Sequence, residues 1–498
     1  MRPAGAIAVR SPAAPSPPLR LPCPHAPRTD PDPRRIDLSM NPALIAQLRR
    51  LGSAPHVLLD PDELVAYGYD ATMGYRGVPA AVVMAETEAH IVDALTAASE
   101  HGVPCLARGG ATSLSASAVP PDGALVIDTN RMRRITAFDA ERRRATVEPG
   151  VVTRDFRDYA AARGLFYAPD PSSEAAATIG GNVATNAGGP YAFKYGVTRD
   201  AVIGLRVVTP RHGLLSLTRG TDDAVIDLII GSEGTLGIVT EVSLQLRPLP
   251  SHRSVRAASF PDGESALRVV AEIMERGITP AKLEFLDDIT VESLERSRPW
   301  GFPRDAGGLL LVELDGDEAE VRDESITLDA LLRSAGGGMD SVDPVRAERW
   351  WEARRGITAS LARIRPAKIG EDICVPYSQL APTFAAIKQA ADDADVVVAI
   401  FGHAADGTLH PNMLYDPSDR EERDRAFSLL PIVADAGLAA GGILSGEHGL
   451  GRVKQPFIDR AYDPPTLAAM LRIKRAFDPD NIMNPGAMWP TEPMEARE

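Results

Sequence analysis

Residues 169–189 read PDPSSEAAATIGGNVATNAGG, and from Ala175 onward large side chains are almost absent. A segment this poor in bulk builds little core, but it lets the backbone lie against a flat ligand. Two more stretches of the same kind flank it. A helix is expected over 87–101, with Ile91, Leu95 and Ala98 on one face and Gly102 at its end, and a short strand over 103–107 then opens into RGGATSLS at 108–115. Glycines and hydroxyl side chains after a strand offer a row of N–H groups that can cradle a diphosphate. The third stretch, GSEGTLGI at 231–238, precedes an alternating strand over 239–246, and another strand fits 203–209. Any one of these loops alone reads as a plain tight turn. Together they point to a large bound cofactor with a phosphate part and a flat ring. No GxGxxG opens a helix at the right place and no Walker A sequence occurs, so a Rossmann or P-loop site is not expected.

A second signal lies at 396–414, VVVAIFGHAADGTLHPNML. The apolar run reads as a strand, and Asp406-Gly407 as a two-residue hairpin turn. That turn sets His403 opposite His410, with Asn412 two residues on and on the same face. Two imidazoles on one face can clasp a metal ion. A third ligand is wanted, and GGILSGEHGLG at 441–451 supplies Glu447 and His448.

A chain of 498 residues is too long for one ordinary core, so two or three domains are expected. The net charge of -15 argues against general nucleic-acid binding while leaving room for a small anionic substrate. Three scattered cysteines, Cys23, Cys105 and Cys374, form no disulfide framework and cannot hold a four-cysteine iron-sulfur cluster, which suits a reducing compartment. Residues 1–37 are rich in Pro, Arg and Ala and are expected to be disordered. No stretch approaches the ~20 apolar residues of a membrane span. After RPLP at 247–250, strands fit 254–260 and 309–314 and helices 264–276 and 318–334, an order that predicts an antiparallel sheet with helices on one side. Arg354 and Thr358 share a helical face, which spacing alone favours as a solvated basic surface.

RGGATSLS, PDPSSEAAATIGGNVATNAGG, KYGVTRD at 194–200 and GSEGTLGIVTEV at 231–242 resemble the FAD domain of the vanillyl-alcohol oxidase and p-cresol methylhydroxylase (PCMH) superfamily. GHAADGTLHPN at 402–412, SGEHGLG at 445–451 and FDPDNIMNPG at 477–486 resemble its FAD-linked D-2-hydroxyacid dehydrogenase branch, which includes the flavoprotein component of glycolate oxidase and the D-lactate and D-2-hydroxyglutarate dehydrogenases. The resemblance implies an α+β fold. A PCMH-type FAD-binding domain would cover 38–250 and a substrate or cap domain 251–425, its antiparallel sheet covered by helices. A helical C-terminal segment, 426–498, would return to the flavin.

By the same resemblance FAD is held by Arg108, Gly109, Gly110, Ala111, Thr112 and Ser113, by Pro169 and Asp170, and by Thr178, Gly180, Gly181, Asn182, Ala184, Thr185 and Gly188. Glu233, Gly237, Ile238 and Asn484 complete the set. Ala111 departs from the family, where a third glycine is usual, as do Ala116 and Ser117. Neither loop has a histidine or cysteine at the usual attachment positions, so non-covalent FAD is expected. Arg354, Thr358, Lys368, Asn412 and His448 would bind the substrate.

Oxidation of a 2-hydroxyacid removes the hydroxyl proton and sends the Cα hydride to flavin N5. A divalent metal, zinc or manganese, on His403, His410 and Glu447 would lower the hydroxyl pKa, with His448 as the general base. The expected partners are a small 2-hydroxyacid and an electron acceptor that is a protein, a quinone or oxygen, with a separate iron-sulfur subunit and a homodimer both compatible and no nucleic acid. The expected location is cytoplasmic, a peripheral place on the inner membrane face being compatible. Two other readings stay open: a flavin-binding subunit of a larger complex with little activity alone, and a metal-dependent hydrolase.

Overall fold

The computed structural model describes residues 42–50 and 56–489, apart from the side chains of 339–341; the N-terminal stretch 1–37 lies outside them. A four-stranded sheet runs in the order His56–Leu58, Ala81–Met84, Leu125–Asp128, Cys105–Arg108, its last two pairings parallel. An antiparallel five-stranded sheet follows, ordered Ile135–Asp139, Arg144–Val147, Ile238–Gln245, Val202–Thr209, Gly213–Thr218. The helix Glu88–Glu100 joins the two. Thr87 caps it by accepting from the His90 amide, and Ile91, Ala94 and Leu95 pack with Leu125 of one sheet and Val208 and Ile238 of the other. Glu88 at its first turn is paired with Arg206 of the second sheet at 2.6 Å.

The second half is built on one large sheet in the order Gly338–Val342, His252–Phe260, Gly308–Gly316, Lys282–Asp287, Val397–His403, Thr408–Tyr415, Ala367–Gly370, every pairing antiparallel. Helices cover both of its faces, not one as the element order suggests. Gly263–Glu275, Glu318–Ser334 and Leu380–Asp393 lie on one side, while Asp288–Ser297 and Pro344–Arg355, with Trp350 and Trp351, lie on the other. The cause is legible in the strand Gly308–Gly316, GLLLVELDG, whose side chains are buried whichever way they point. A strand covered on both faces reads as a continuous apolar run without alternation. Beyond the sheet come the helices Arg420–Ser428, Leu430–Ala439 and Pro464–Phe477. No helix among the described residues is long and apolar enough to cross a membrane.

The hairpin carrying the two histidines differs from expectation. A short 3-10 turn, Ala404–Asp406, and Gly407 at φ 83° connect the strands, and Phe401, not His403, lies opposite His410. Gly407 is pressed on the neighbouring chain segment: a Cβ there would sit 2.2 Å from the Val375 carbonyl oxygen. The longer connection slips the register by two residues. Because side chains alternate with period two, His403 and His410 stay on one face as diagonal neighbours.

Ala111 and Ala116 have φ of 52° and 57°, the left-handed region, where a Cβ costs about 1–2 kcal/mol. That backbone shape accounts for a glycine preference at both sites. After the entropy glycine loses on folding, Ala111→Gly is expected to stabilise the flavin-free protein by about 0.5–1 kcal/mol. Thermal unfolding should show a raised midpoint, and an unchanged or lowered one would mean that Ala111 is not strained.

Candidate active site

The three small-residue loops form one wall of a cavity of about 380 Å³, and the sheet domain forms the other. Residues 108–113, Thr178, Gly180, Gly181, Asn182, Ala184, Thr185, Glu233, Gly237 and Ile238 all line it. Their glycines serve contact between loops. A Cβ on Gly110 would lie 2.0 Å from the Ala176 carbonyl oxygen, so only glycine lets the first two loops meet. Arg108 has its guanidinium turned to the carbonyl oxygens of Ala66, Tyr67 and Ala118, where it braces the backbone.

Pro169, Asp170, Gly188 and Asn484, expected at the cofactor, do not line the cavity. Asn484 is fully buried with φ 43° and acts as a tie. Its side-chain amide donates to the carbonyls of Ser117 and Glu233 at 2.9 and 3.0 Å and accepts from Arg452 at 2.8 Å. Glu233 completes the junction, its carboxylate accepting from the Leu450 and Gly451 amides at 2.6 and 2.8 Å. Burial pushes that carboxyl up to about 7.

Across the cavity, His403, His410 and Glu447 each present a ligand atom, all within 4.8 Å of one another. His403 Nε2 lies 2.9 Å from Glu447 Oε1, and its Nδ1 lies 2.7 Å from Glu284 Oε1. Burial alone would lower His403, but the flanking carboxylates of Glu284 and Glu447 outweigh it and hold the imidazole well above its usual value. Glu447 is held down to about 2, burial being overcome by the attraction of His403 and the other imidazoles. His410 is the opposite case: burial and the neighbouring His448 and His403 keep it neutral, well below its usual value. Its buried Nδ1 has no hydrogen-bond partner and its Nε2 stands 3.5 Å from Glu447. A buried imidazole with an unpartnered nitrogen, facing a histidine and a carboxylate, is the chemistry of a metal-binding trio.

His448 stacks on His410, ring centroids 4.9 Å apart and 14° from parallel. Its Nδ1 is 3.4 Å from Asp372 Oδ1 but not aligned for a hydrogen bond. Burial lowers its pKa more than Asp372 and Glu447 raise it. The loop that bears it is shaped by Asp372, which accepts from the amides of Glu447 and His448 at 2.7 and 3.0 Å and pairs with buried Lys454. Arg354 is buried, and its Nε donates to Glu284 at 2.5 Å while Nη2 has no partner. It is therefore already paired and not on a solvated surface as its spacing suggests, with one end of the fork left over at a position the resemblance assigns to substrate binding. Thr358 lies past a break at Gly356, on the short helix Ile357–Ser360, and lines the cavity with exposed Arg355. Lys368 donates to Asn412 Oδ1 at 2.7 Å, and burial pushes its ammonium down to about 8.

Glu284, Asp372 and Lys454 are not found by reading the sequence for motifs. Glu284 carries a usable signal, being a carboxylate inside KLEFLD, a strand whose every position is buried. Asp372 and Lys454 sit in irregular segments that carry none.

The FAD binding domain family matches residues 79–218 and the family of FAD linked oxidases, C-terminal domain, matches 249–488. Glycolate oxidase subunit GlcD of Bacillus subtilis is 39% identical, covering 85% of this chain and 92% of its own. D-lactate dehydrogenase [cytochrome] of Arabidopsis thaliana is 31% identical over 90% of this chain and 80% of its own, and D-2-hydroxyglutarate dehydrogenase of Stutzerimonas stutzeri 30% over 90% and 99%. Among solved structures, p-cresol methylhydroxylase with substrate bound superposes with TM-score 0.75 at 18% identity over 90% of this chain and 96% of that one, a likeness of fold. Fold and site thus define an FAD-linked oxidoreductase. The chain belongs to the family of FAD-linked oxidases and dehydrogenases that contains these glycolate, D-lactate and D-2-hydroxyglutarate enzymes, which sets the hydrolase reading aside.

Asp170, half-buried with one hydrogen bond from the Tyr191 amide, is pushed up to about 7 by the desolvation of its carboxyl among the surrounding loops. A carboxyl raised above its unfolded value of about 3.9 costs stability progressively as pH rises from there to about 7. Asp170→Asn should therefore unfold at a higher temperature than wild type at pH 8, with little difference near pH 4, and should keep its flavin. Equal midpoints at pH 8 would place the charge in a solvated setting.

Proposed function

We propose that this chain oxidises a D-2-hydroxyacid to the 2-oxoacid with non-covalent FAD and a divalent metal, zinc or manganese. The observation that carries the proposal is that His403, His410 and Glu447 line the same cavity as the three small-residue loops. The relatives' names, which specify glycolate, D-lactate and D-2-hydroxyglutarate, support the substrate class. The glycine-rich wall carries no histidine or cysteine to attach a flavin.

Bound FAD would supply the hydride acceptor, and a metal ion on the trio would polarise the substrate hydroxyl. The residues do the rest. Lys368, steered by Asn412, and the unpartnered Nη2 of Arg354 hold the carboxylate. His448 takes the hydroxyl proton, its ring fixed by stacking on His410 and its backbone by Asp372. Glu284 orients His403 by accepting from Nδ1, which leaves Nε2 free to be a ligand. Closing Cα against the flavin is a matter of placement, for which the two walls are tied together by hydrogen bonds at Glu233. Electrons pass to a separate protein, a quinone or oxygen. The glycolate oxidase relative is named as a subunit, which favours as second reading a flavin subunit with little activity alone.

His403→Ala and His410→Ala should each lose the bound metal while keeping flavin, and Glu284→Gln should weaken metal binding by about 10–100-fold. Elemental analysis beside the flavin spectrum checks this, and full metal occupancy in both histidine variants would sink the metal site. His448→Ala should retain metal and flavin yet lose at least ~10² in the rate of flavin reduction by substrate in single-turnover measurements. A near-normal rate would move the base elsewhere, and a flavin that no 2-hydroxyacid reduces would favour the subunit reading.

A further inference from the structure

A second cavity of about 100 Å³ opens between the two halves of the molecule. It shares Ala71, Leu114, Thr358 and Lys368 with the main cavity, so it continues the site at the end where a substrate carboxylate would be held. Its other walls are largely apolar: Met73, Leu361, Ala362, Pro366 and Ile369. Several of the polar groups around it are bonded elsewhere. Thr72 Oγ1 donates to the Ser113 carbonyl and accepts from the Ala116 amide. Arg365 donates through Nε to Glu422 at 2.9 Å and through Nη1 to the Ile364 carbonyl. Lys368 gives one of its ammonium hydrogens to Asn412, which lines the main cavity.

We propose that this cavity receives the C2 substituent of the substrate, and that the protein prefers 2-hydroxyacids with a short alkyl side chain over glycolate and over dicarboxylic hydroxyacids. This rests on the function proposed above. A carboxylate fixed at Lys368 leaves the C2 substituent beside the opening that Lys368 and Thr358 share. The walls then decide what fits. An apolar cavity below the roughly 150 Å³ that holds a benzene ring takes a propyl or isobutyl group but no ring. A second carboxylate would lose hydration against mostly apolar walls, where the lining cations are Lys368, which holds the first carboxylate, and Arg365, which is exposed to solvent and already paired with Glu422. Each methylene buried in such a pocket is worth roughly 10- to 200-fold in kcat/KM.

The test is anaerobic stopped-flow reduction of the flavin-loaded full chain by glycolate, D-lactate, D-2-hydroxybutyrate, D-2-hydroxy-4-methylpentanoate and D-2-hydroxyglutarate. The second-order rate constant should rise at least tenfold from glycolate to the best alkyl acid, with D-2-hydroxyglutarate below D-lactate. Ala362 is exposed at the cavity wall, so Ala362→Phe should fold and fill the space. In that variant the ratio of D-2-hydroxy-4-methylpentanoate to D-lactate should fall at least tenfold. Rates that are flat or decline with chain length, a preference for the dicarboxylate, or an unchanged ratio in Ala362→Phe overturn the subsite while leaving hydroxyacid oxidation standing. Failure of every acid to reduce the flavin overturns both.

Discussion

The Glu233 carboxylate, buried and accepting from the amides of Leu450 and Gly451, joins the two walls of the cavity, and the alignment of the whole site depends on that junction. One wall is made by loops of the first 250 residues, the other by a sheet and a loop from the last 250. Neither wall encloses a site by itself. The contact is close as well as polar: a Cβ on Gly451 would lie 1.9 Å from the Ser115 carbonyl oxygen. Asn484 and Arg452 bind the C-terminal tail into the same knot. Chemistry that needs two reacting atoms at contact distance is sensitive to shifts of an ångström, so a buried carboxyl with a costly environment is retained where a softer contact would let the walls drift.

The sheet side of the site is a chain of buried charge. Arg354 faces Glu284, Glu284 faces His403, and His403 faces Glu447. Each carboxylate is compensated on the spot, which is the condition for keeping charges out of water. Removing one member leaves its neighbour charged and unpaired. The unpartnered Nδ1 of buried His410 marks the side on which a cation would add most.

Much of this is legible in the sequence, and for identifiable reasons. The helix 318–334 is bounded to the residue by an aspartate cap and three glycines. The small-residue loops are conspicuous through the side chains they lack. The histidine pair keeps its shared face although the turn is longer than Asp-Gly implies, because a slip of two residues preserves the face of a strand. What the sequence hides is long-range and polar. Nothing local distinguishes Asp372 as the organiser of a loop 75 residues away, or tells that Arg354 meets Glu284 across 70 residues before it meets any substrate. Helix placement on both faces of the sheet is hidden for a related reason: a strand buried on both sides lacks the period that reveals which way a face points.

The glycines of the cofactor loops call for a change in how such motifs are interpreted. Read as a sequence, they suggest a backbone bared to a ligand. In the folded chain Gly109 is pressed on Thr178, 2.4 Å from where its Cβ would meet Oγ1, and Gly110 on Ala176. The loops need small residues to touch one another, and the groove they share is what remains between them. Ala111 and Ala116 stand where the backbone turns left-handed, and there a methyl group is tolerated at an energetic cost, whereas at Gly110 it is excluded by a carbonyl. Glycine is thus favoured at these loops for two separable physical reasons, contact and conformation, and at Ala111 and Ala116 this chain has given up the second.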